Sequence, residues 1–128
     1  MIKTVIFLIL MCVTLSACAS LEQIRADNRQ KLTGLSAGMS KQEVLSLMGT
    51  KTVRSGDGTI VTNPHRTEMY RAKNSVFELL LYYTEIKKSD GAITDDELIP
   101  LVLKDGKLDG WGWSYWENVT QKLEIRVR

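Results

Sequence analysis

The sequence is poor in the residues that most often build catalytic and metal-binding sites. Its 128 residues include two cysteines and one histidine. That histidine, His65, has no second histidine and no cysteine around it to complete a zinc site, and no serine stands in a nucleophile-elbow context. The 17 basic and 15 acidic residues nearly balance, without the basic patch that is typical of nucleic-acid binding. We therefore expect no enzymatic activity, no metal or other cofactor, and no nucleic-acid partner.

The apolar run from Val5 to Leu15 is too short to span a bilayer. It follows Lys3 and matches the core of a signal peptide, about 7–15 residues, rather than the ~20 residues of a transmembrane helix. The run ends in Leu15-Ser16-Ala17-Cys18, which resembles a bacterial lipobox. By that resemblance, residues 1–17 are a lipoprotein signal peptide, and Cys18 is lipidated and becomes the first residue of the mature chain.

Lipidation of Cys18 implies a location and limits the chemistry of the mature chain. Each buried methylene contributes about 0.8 kcal/mol, so several acyl chains would hold the protein in outer-membrane lipid permanently. Enterobacterial lipoproteins kept at the inner membrane carry aspartate after the cysteine. By resemblance to them, Ala19 favours the outer membrane, facing the periplasm. Cys12 would be removed with the signal peptide, which excludes a disulfide in the mature chain.

The part of the chain after the anchor divides into a polar segment and a domain. Between residues 18 and 33 the strong hydrophobes are Leu21, Ile24 and Leu32. We expect a polar tether here, with helical tendency but without a stable tertiary contact. Residues 34–128 are expected to form one small domain.

Residues 35–49 carry the strongest helix pattern. Ser40 is a candidate N-cap, and Glu43 three residues later completes a capping box. Gly49 is placed to end the helix in the left-handed conformation. Three apolar residues share one face of this helix: Val44, Leu47 and Met48.

The rest of the chain favours strands. The β-prone segments are residues 52–54, 59–61, 67–72, 75–86, 98–103, 107–116 and 123–127. The first two suit either a weak hairpin or a mobile loop around Gly56-Asp57-Gly58, and Pro100 indicates an edge strand or a bulge. Asp105-Gly106 is typical of a type I′ hairpin turn. The order of elements predicts an α+β fold, with two short N-terminal helices packed on one face of a three- to four-stranded antiparallel meander sheet.

The string Gly38-Met39-Ser40-Lys41-Gln42-Glu43-Val44, closed by Leu47-Met48-Gly49, resembles the helical signature of the SmpA/OmlA (BamE-like) lipoprotein family. The resemblance implies a lipid-anchored helix-and-sheet domain that works with an envelope protein such as the outer-membrane β-barrel assembly machinery. Lys51 replaces a proline usual in that family, and residues 95–115 are closer to a related branch of small lipoproteins. The expected function is a non-enzymatic scaffold or accessory module in outer-membrane assembly or envelope integrity.

Two surfaces are candidates for contact with a partner. One is the turn at Gly38-Met39-Ser40, together with the sheet face that the helices leave open. The other is an aromatic stripe, in which three residues alternate with small ones: Trp111, Trp113 and Tyr115. These rings either fill the core or form an exposed platform. As an alternative function, the chain would be a lipid-anchored inhibitor or sensor that binds an envelope enzyme through its sheet face.

The acidic run at residues 95–97 is the remaining candidate for chemistry. Paired carboxylates can perform acid–base hydrolysis. Here, however, Asp95, Asp96 and Glu97 are consecutive residues in a predicted turn. We therefore expect them to be hydrated rather than catalytic.

Overall fold

The computed structural model describes residues 20–56, 58–87 and 92–126. The predicted signal peptide and Cys18 lie outside these residues. The described residues form three α-helices and six β-strands. In chain order they are α1 (Leu21–Leu32), α2 (Lys41–Met48), β1 (Thr52–Arg54), β2 (Ile60–Thr62), β3 (Arg66–Ala72), β4 (Ser75–Tyr83), β5 (Leu98–Lys104), β6 (Lys107–Trp111) and α3 (Trp113–Leu123). The predicted α+β class is confirmed.

Strands β3 to β6 form one antiparallel meander in the order β3-β4-β5-β6, which confirms the predicted four-stranded sheet. Tyr83 pairs with Leu98 at one end of the central β4–β5 pair, and Phe77 pairs with Lys104 at the other. Because side chains alternate along a strand, β4 contributes to two cores. We call the side that carries Phe77 and Tyr83 the first face and the side that carries Leu80 the second face.

The hairpin predicted at Asp105-Gly106 is present, and so is the hairpin that was one of two alternatives for residues 52–62. β1 and β2 pair as a separate two-stranded sheet, so residues 52–62 form a hairpin rather than a loop. Between β5 and β6, Asp105 and Gly106 have φ angles of 49° and 84°. Two consecutive positive φ values are the signature of a type I′ turn.

The first face of the sheet is covered by elements from both ends of the chain. Ile24 of α1, Val61 of β2 and Trp116 of α3 pack there against Phe77 and Tyr83 of β4. On the second face, the apolar side of α2 covers the sheet, and its core residues include Val44, Met48, Leu80 and Leu101. The sequence predicted both N-terminal helices on one face, but α1 packs on the first face and α2 on the second. The helix α3, which was not anticipated, also packs on the first face.

The return strand predicted over residues 107–116 ends early. β6 stops at Trp111, Gly112 turns the backbone at φ 94°, and α3 begins at Trp113. Four apolar residues of α3 have helical rather than alternating spacing and pack on the first-face core: Trp113, Trp116, Val119 and Leu123. The alternation of glycines with aromatics from residue 110 to 115 concealed this pattern. The strand predicted over 123–127 is also wrong for the described residues, because Leu123 ends α3 and residues 125–126 are in no strand.

Pro100 does not mark an edge strand. β5 lies between β4 and β6, and Pro100 pairs with Leu81. The irregularity in the register is at Val102 and Leu103, on the side facing β6. The Pro100 carbonyl accepts from the amide of Gly112 at 2.9 Å, so the missing N–H of proline faces the point just beyond the end of β6. Proline is tolerated there because the Gly112 carbonyl accepts from the Trp116 amide instead.

Candidate functional site

Helix α1 occupies most of the segment that was predicted to be a tether. The Ser20 side chain caps its first turn by accepting a hydrogen bond from the amide of Gln23 at 3.1 Å. Ile24, Arg25 and Asn28 are buried against the rest of the protein. The expectation that residues 18–33 make no stable tertiary contact is therefore wrong for α1. The buried face of α1 includes the polar residues Arg25 and Asn28. The composition of the segment therefore did not indicate that it would be buried.

Asn28 joins α1 to the sheet and to the loop after β2. Its amide nitrogen donates to the Tyr83 carbonyl at 2.8 Å and to the Asn63 side-chain oxygen at 3.2 Å. The residue is only 1% exposed. Both neighbours are acceptors, so the amide orientation is determined. The Asn28 Oδ1 atom is left without a hydrogen-bond partner among the described residues.

A cationic cluster continues this junction along α1. Arg25 donates to the Tyr83 hydroxyl at 2.9 Å and lies over the Tyr83 ring, with its guanidinium carbon 5.4 Å from the centroid. The Arg29 guanidinium donates to the Glu22 carboxylate at 3.0 Å and to the Thr84 carbonyl at 2.5 Å. Hydrogen bonds from Arg25 and then Arg29 lower the pKa of Glu22. Together these contacts hold α1 against the carboxyl end of β4.

A cleft of about 510 Å³ lies between α1, the carboxyl end of α2, and β1. Its volume falls in the range of small-ligand sites, roughly 300–1,000 Å³. Four apolar side chains contribute to its lining: Ile24, Leu45, Leu47 and Val53. Seven polar residues also line it: Asp27, Asn28, Lys31, Ser46, Thr50, Lys51 and Asn63. A partner would therefore meet a surface that mixes apolar and polar side chains.

The charges around the cleft are not balanced. Its lining has two lysines, Lys31 and Lys51, against one aspartate, Asp27. Neither lysine takes part in an ion pair within the described part of the chain. Lys31 Nζ is 3.7 Å from the position that a β-carbon on Gly49 would take, beside the negative end of the α2 dipole. Lys51 has no such structural role, so its charge is free to meet an anionic group.

The backbone of the turn at Gly38-Met39-Ser40 forms hydrogen bonds within the domain. The Gly38 amide donates to the Leu108 carbonyl at 2.7 Å, and the Leu108 amide donates to the Met39 carbonyl at 2.8 Å. This backbone lies along the outer edge of β6 and pairs with it. The turn therefore covers a sheet edge, and its Gly38 amide and Met39 carbonyl are used within the domain.

The capping chemistry of the same motif is confirmed. The Ser40 side chain accepts from the Glu43 amide at 3.2 Å, and the Glu43 carboxylate accepts from the Ser40 amide at 3.0 Å. Val44, the first apolar residue of α2, is fully buried on the second face. Gly49 ends α2 with a positive φ of 90°, but its ψ of 158° places it outside the left-handed helical region that was expected.

The aromatic stripe is divided between a strand and a helix. Trp111, at the end of β6, is 37% exposed. Trp113 is half-buried and its indole nitrogen donates to the Leu98 carbonyl at 2.8 Å. The Tyr115 hydroxyl donates to Asp109, and burial together with this carboxylate raises the pKa of Tyr115 to about 12. Trp113 and Tyr115 are partly buried and pack against the first-face core, and the three rings do not form one platform.

Trp116 is the aromatic residue that the sequence analysis missed. It is 2% exposed, and its ring centroid lies 5.1 Å from that of Tyr70 and 5.8 Å from that of Phe77. Its i, i+3 spacing from Trp113 was the available signal. Its indole nitrogen is buried and has no hydrogen-bond partner among the described residues.

The acidic run is structural, and one of its members is buried. Glu97 is 1% exposed and its carboxylate accepts from the amides of Thr94 and Lys87, each at 3.0 Å. Burial by itself would raise the pKa of Glu97, but these hydrogen bonds outweigh it and the pKa lies below its usual value. Asp95 pairs with Arg66 of β3 at 2.6 Å. Hydration was therefore the wrong expectation for Glu97.

The described residues contain neither a candidate metal site nor a helix able to span a membrane. In residues 20–56, 58–87 and 92–126, no group of three or more His, Cys, Asp or Glu residues could hold a metal ion. Over the same ranges, no helix combines the length and apolarity needed to cross a bilayer. His65 lies beside Arg66, and burial followed by that positive charge lowers its pKa.

One family model matches this chain. It is described as a protein of unknown function (DUF3192) and matches residues 9–118. The match extends from the apolar run that precedes Cys18 into α3, so it includes α1, the cleft and the whole four-stranded sheet. No curated protein and no solved structure matches the chain.

Proposed function

Because the chain belongs to the DUF3192 family, whose description assigns no function, we propose a role from its own residues. The protein is an outer-membrane lipoprotein anchored through Cys18. It acts as a non-enzymatic binding module for another envelope protein, in outer-membrane assembly or envelope integrity. The cleft between α1 and α2 is the centre of the binding surface.

The observation that carries this proposal is the position of the cleft relative to the anchor. Helix α1 begins at Leu21, three residues after Cys18. An extended chain spans at most about 3.6 Å per residue, so these steps cover roughly 11 Å. The same helix supplies Ile24 and Lys31 to the cleft lining. Since α1 is docked on the sheet, the lipid anchor would hold the cleft close to the membrane surface.

The lining of the cleft favours a protein segment that carries both apolar and acidic side chains. Leu45, Leu47 and Val53 would bury apolar groups, and Lys51 offers an unpaired positive charge. Apolar anchors supply most of the energy of an interface, while charges at its rim mainly guide association. A stable interface buries roughly 1,000 Å² or more, so the partner would also contact the surface around the cleft.

The alternative function, an inhibitor or sensor that binds through its sheet face, receives no support from this fold. It depends on an open sheet face with exposed aromatic residues. Core residues of α3 pack on the first face and those of α2 pack on the second. Of the three aromatics in the stripe, only Trp111 is among the exposed residues.

The proposal is tested by photo-crosslinking in living cells, with the full-length lipidated protein. A photoreactive amino acid at Thr50, which is exposed at the rim of the cleft, should yield a discrete product in the membrane fraction. The same amino acid at exposed Asn74, in the β3–β4 turn at the opposite end of β4, should not yield it. Lys51→Glu should weaken the product at Thr50, and Lys107→Glu, an exposed site outside the cleft, should leave it unchanged. Equal products from both positions would contradict the proposed surface.

Lipidation of Cys18 and the role in envelope integrity are tested by separate measurements. Cys18→Ala should move the protein out of the membrane fraction, and unchanged membrane association would contradict lipidation. Deletion of the gene should make the parent bacterium more sensitive to large antibiotics that an intact outer membrane excludes. The wild-type gene should restore resistance and the Lys51→Glu variant should restore it less well. An unchanged barrier in the deletion strain would contradict a role in envelope integrity.

A further inference from the structure

The backbone that follows β4 lies beside the first turns of α1. One guanidinium group, that of Arg29, contacts both Glu22 near the start of α1 and the carbonyl of Thr84. Residues 84–87 continue from this point. They are therefore neighbours of the part of α1 that is nearest, in sequence, to Cys18.

Ile86 is exposed in the middle of this segment. It is one of the few large hydrophobic residues on the described surface, with 44% of its area accessible. The backbone on both sides of it is held. The Glu85 amide donates to the Glu97 carbonyl at 3.1 Å, and the Lys87 amide donates to the Glu97 carboxylate at 3.0 Å. These two hydrogen bonds hold the backbone so that the apolar side chain of Ile86 stays on the surface.

The short link between Cys18 and α1, compared with the length of β4, indicates which end of the sheet lies nearer to the lipid anchor. The three steps from Cys18 to Leu21 span at most about 11 Å. The strand from Ser75 to Tyr83 has nine residues, and at about 3.4 Å per residue its two ends are roughly 27 Å apart. The carboxyl end of β4, where α1 is docked, is therefore nearer to the bilayer than the β3–β4 turn.

We propose that residues 84–87 contact the lipid surface beside the anchor and that Ile86 inserts at the boundary between headgroups and acyl chains. The inference rests on the proposed lipidation of Cys18. The contact is apolar rather than ionic, because Lys87 is paired with Glu85 at 3.0 Å. Isoleucine is favourable in such an environment, and its insertion would fix the orientation of the domain on the membrane.

Site-specific fluorescence in vesicles tests this orientation. Ile86→Cys, in the lipidated mature protein, is labelled with an environment-sensitive dye and reconstituted into phosphatidylethanolamine–phosphatidylglycerol vesicles that contain nitroxide-labelled lipid. The matched control is Asn74→Cys, which is exposed in the β3–β4 turn. We expect quenching of the dye at residue 86 to be several-fold stronger than at residue 74.

The outcomes separate this inference from the anchor itself. Flotation of the vesicles reports anchoring independently of the dye. Protein that floats but is quenched equally at the two positions, or more strongly at residue 74, overturns the orientation and leaves the anchor intact. Lipidated protein that does not float overturns the anchor, and the orientation with it.

Discussion

The ring of Tyr115 lies where a side chain on Gly110 would have to be. A β-carbon added at Gly110 would be 2.6 Å from two atoms of that ring, which is closer than non-bonded carbons approach. The contact exists because β6 ends at Trp111 and α3 folds back over the strand that precedes it. Gly110 provides space for the ring and Gly112 provides the turn.

Gly110→Ala should destabilise the protein by about 1–3 kcal/mol, the usual cost of overpacking a filled site. Gly56→Ala is the control, since a β-carbon there meets no atom within 4 Å. The free energy of unfolding in urea measures both. Equal stability of the two variants would show that Tyr115 does not pack on Gly110.

Trp116→Ala should cost about 3–5 kcal/mol, because it removes a large buried ring from the first-face core. Trp111→Ala should cost much less, since Trp111 is 37% exposed and Trp116 only 2%. Thermal unfolding followed by circular dichroism compares them. Trp116→Phe keeps most of the packing and provides a folded variant if the alanine variant does not fold. A larger loss for Trp111 than for Trp116 would contradict the assignment of the core aromatic.

Asn28→Leu should loosen α1 and lower the free energy of unfolding by about 1–3 kcal/mol, because the Tyr83 carbonyl and the Asn63 side-chain oxygen lose their donor. Gln30→Ala, at an exposed position of the same helix, is the control. Amide hydrogen exchange should accelerate across α1 in the leucine variant. Unchanged exchange there would mean that the buried amide does not hold the helix.

Ser40→Ala should cost about 1 kcal/mol through loss of the N-cap. The capping hydrogen bond runs from the Glu43 amide to the Ser40 hydroxyl. Ser46→Ala changes the same residue type at an exposed position inside α2, where alanine is the better helix former. Chemical denaturation should therefore separate the two substitutions, and similar midpoints would argue against the capping box.

Stability should fall in acid partly through Glu97. Its pKa in the folded protein lies below the ordinary 4.5, so its contribution is complete above that value and is lost as the pH falls through the folded pKa. Glu97→Gln should flatten the dependence of unfolding free energy on pH below about 4.5. The charged neighbours Asp96 and Lys87 are the same in both proteins. An identical slope for the variant and the wild type would assign the acid sensitivity to other groups.

Features that depend on neighbouring residues in the chain were predictable. The capping box at Ser40 and Glu43 and the turn at Asp105-Gly106 each require a few residues in sequence, and both are present. The fully apolar pattern of β4 also indicated a strand covered on both sides. The class of the fold followed from the order of these elements.

Features that depend on distant partners were not predictable. The polar residues of α1 suggested solvent, but Asn28 and Arg25 find acceptors on Tyr83, more than fifty residues away. Glu97 was missed although its partners are near in the chain: the Thr94 amide lies three residues before it and the Lys87 amide ten residues before it. Thr94 and Glu97 form a capping box that the sequence analysis did not identify. The alternation of Trp113 and Tyr115 with small residues favoured a strand. The segment is a helix instead, and its i, i+3 spacing of Trp113 and Trp116 buries the indole ring of Trp116 in the core.

By itself, the sequence determined the local signals: the lipobox resemblance at Cys18, the capped helix α2 and the strands of the meander. Only the tertiary structure decided what the segment after Cys18 does. A helix with polar side chains becomes part of a domain when those groups find buried hydrogen-bond partners, and no local pattern identifies such partners. The docking of α1 replaces the expected tether, forms the cleft, and leaves only three residue steps between Cys18 and the folded domain.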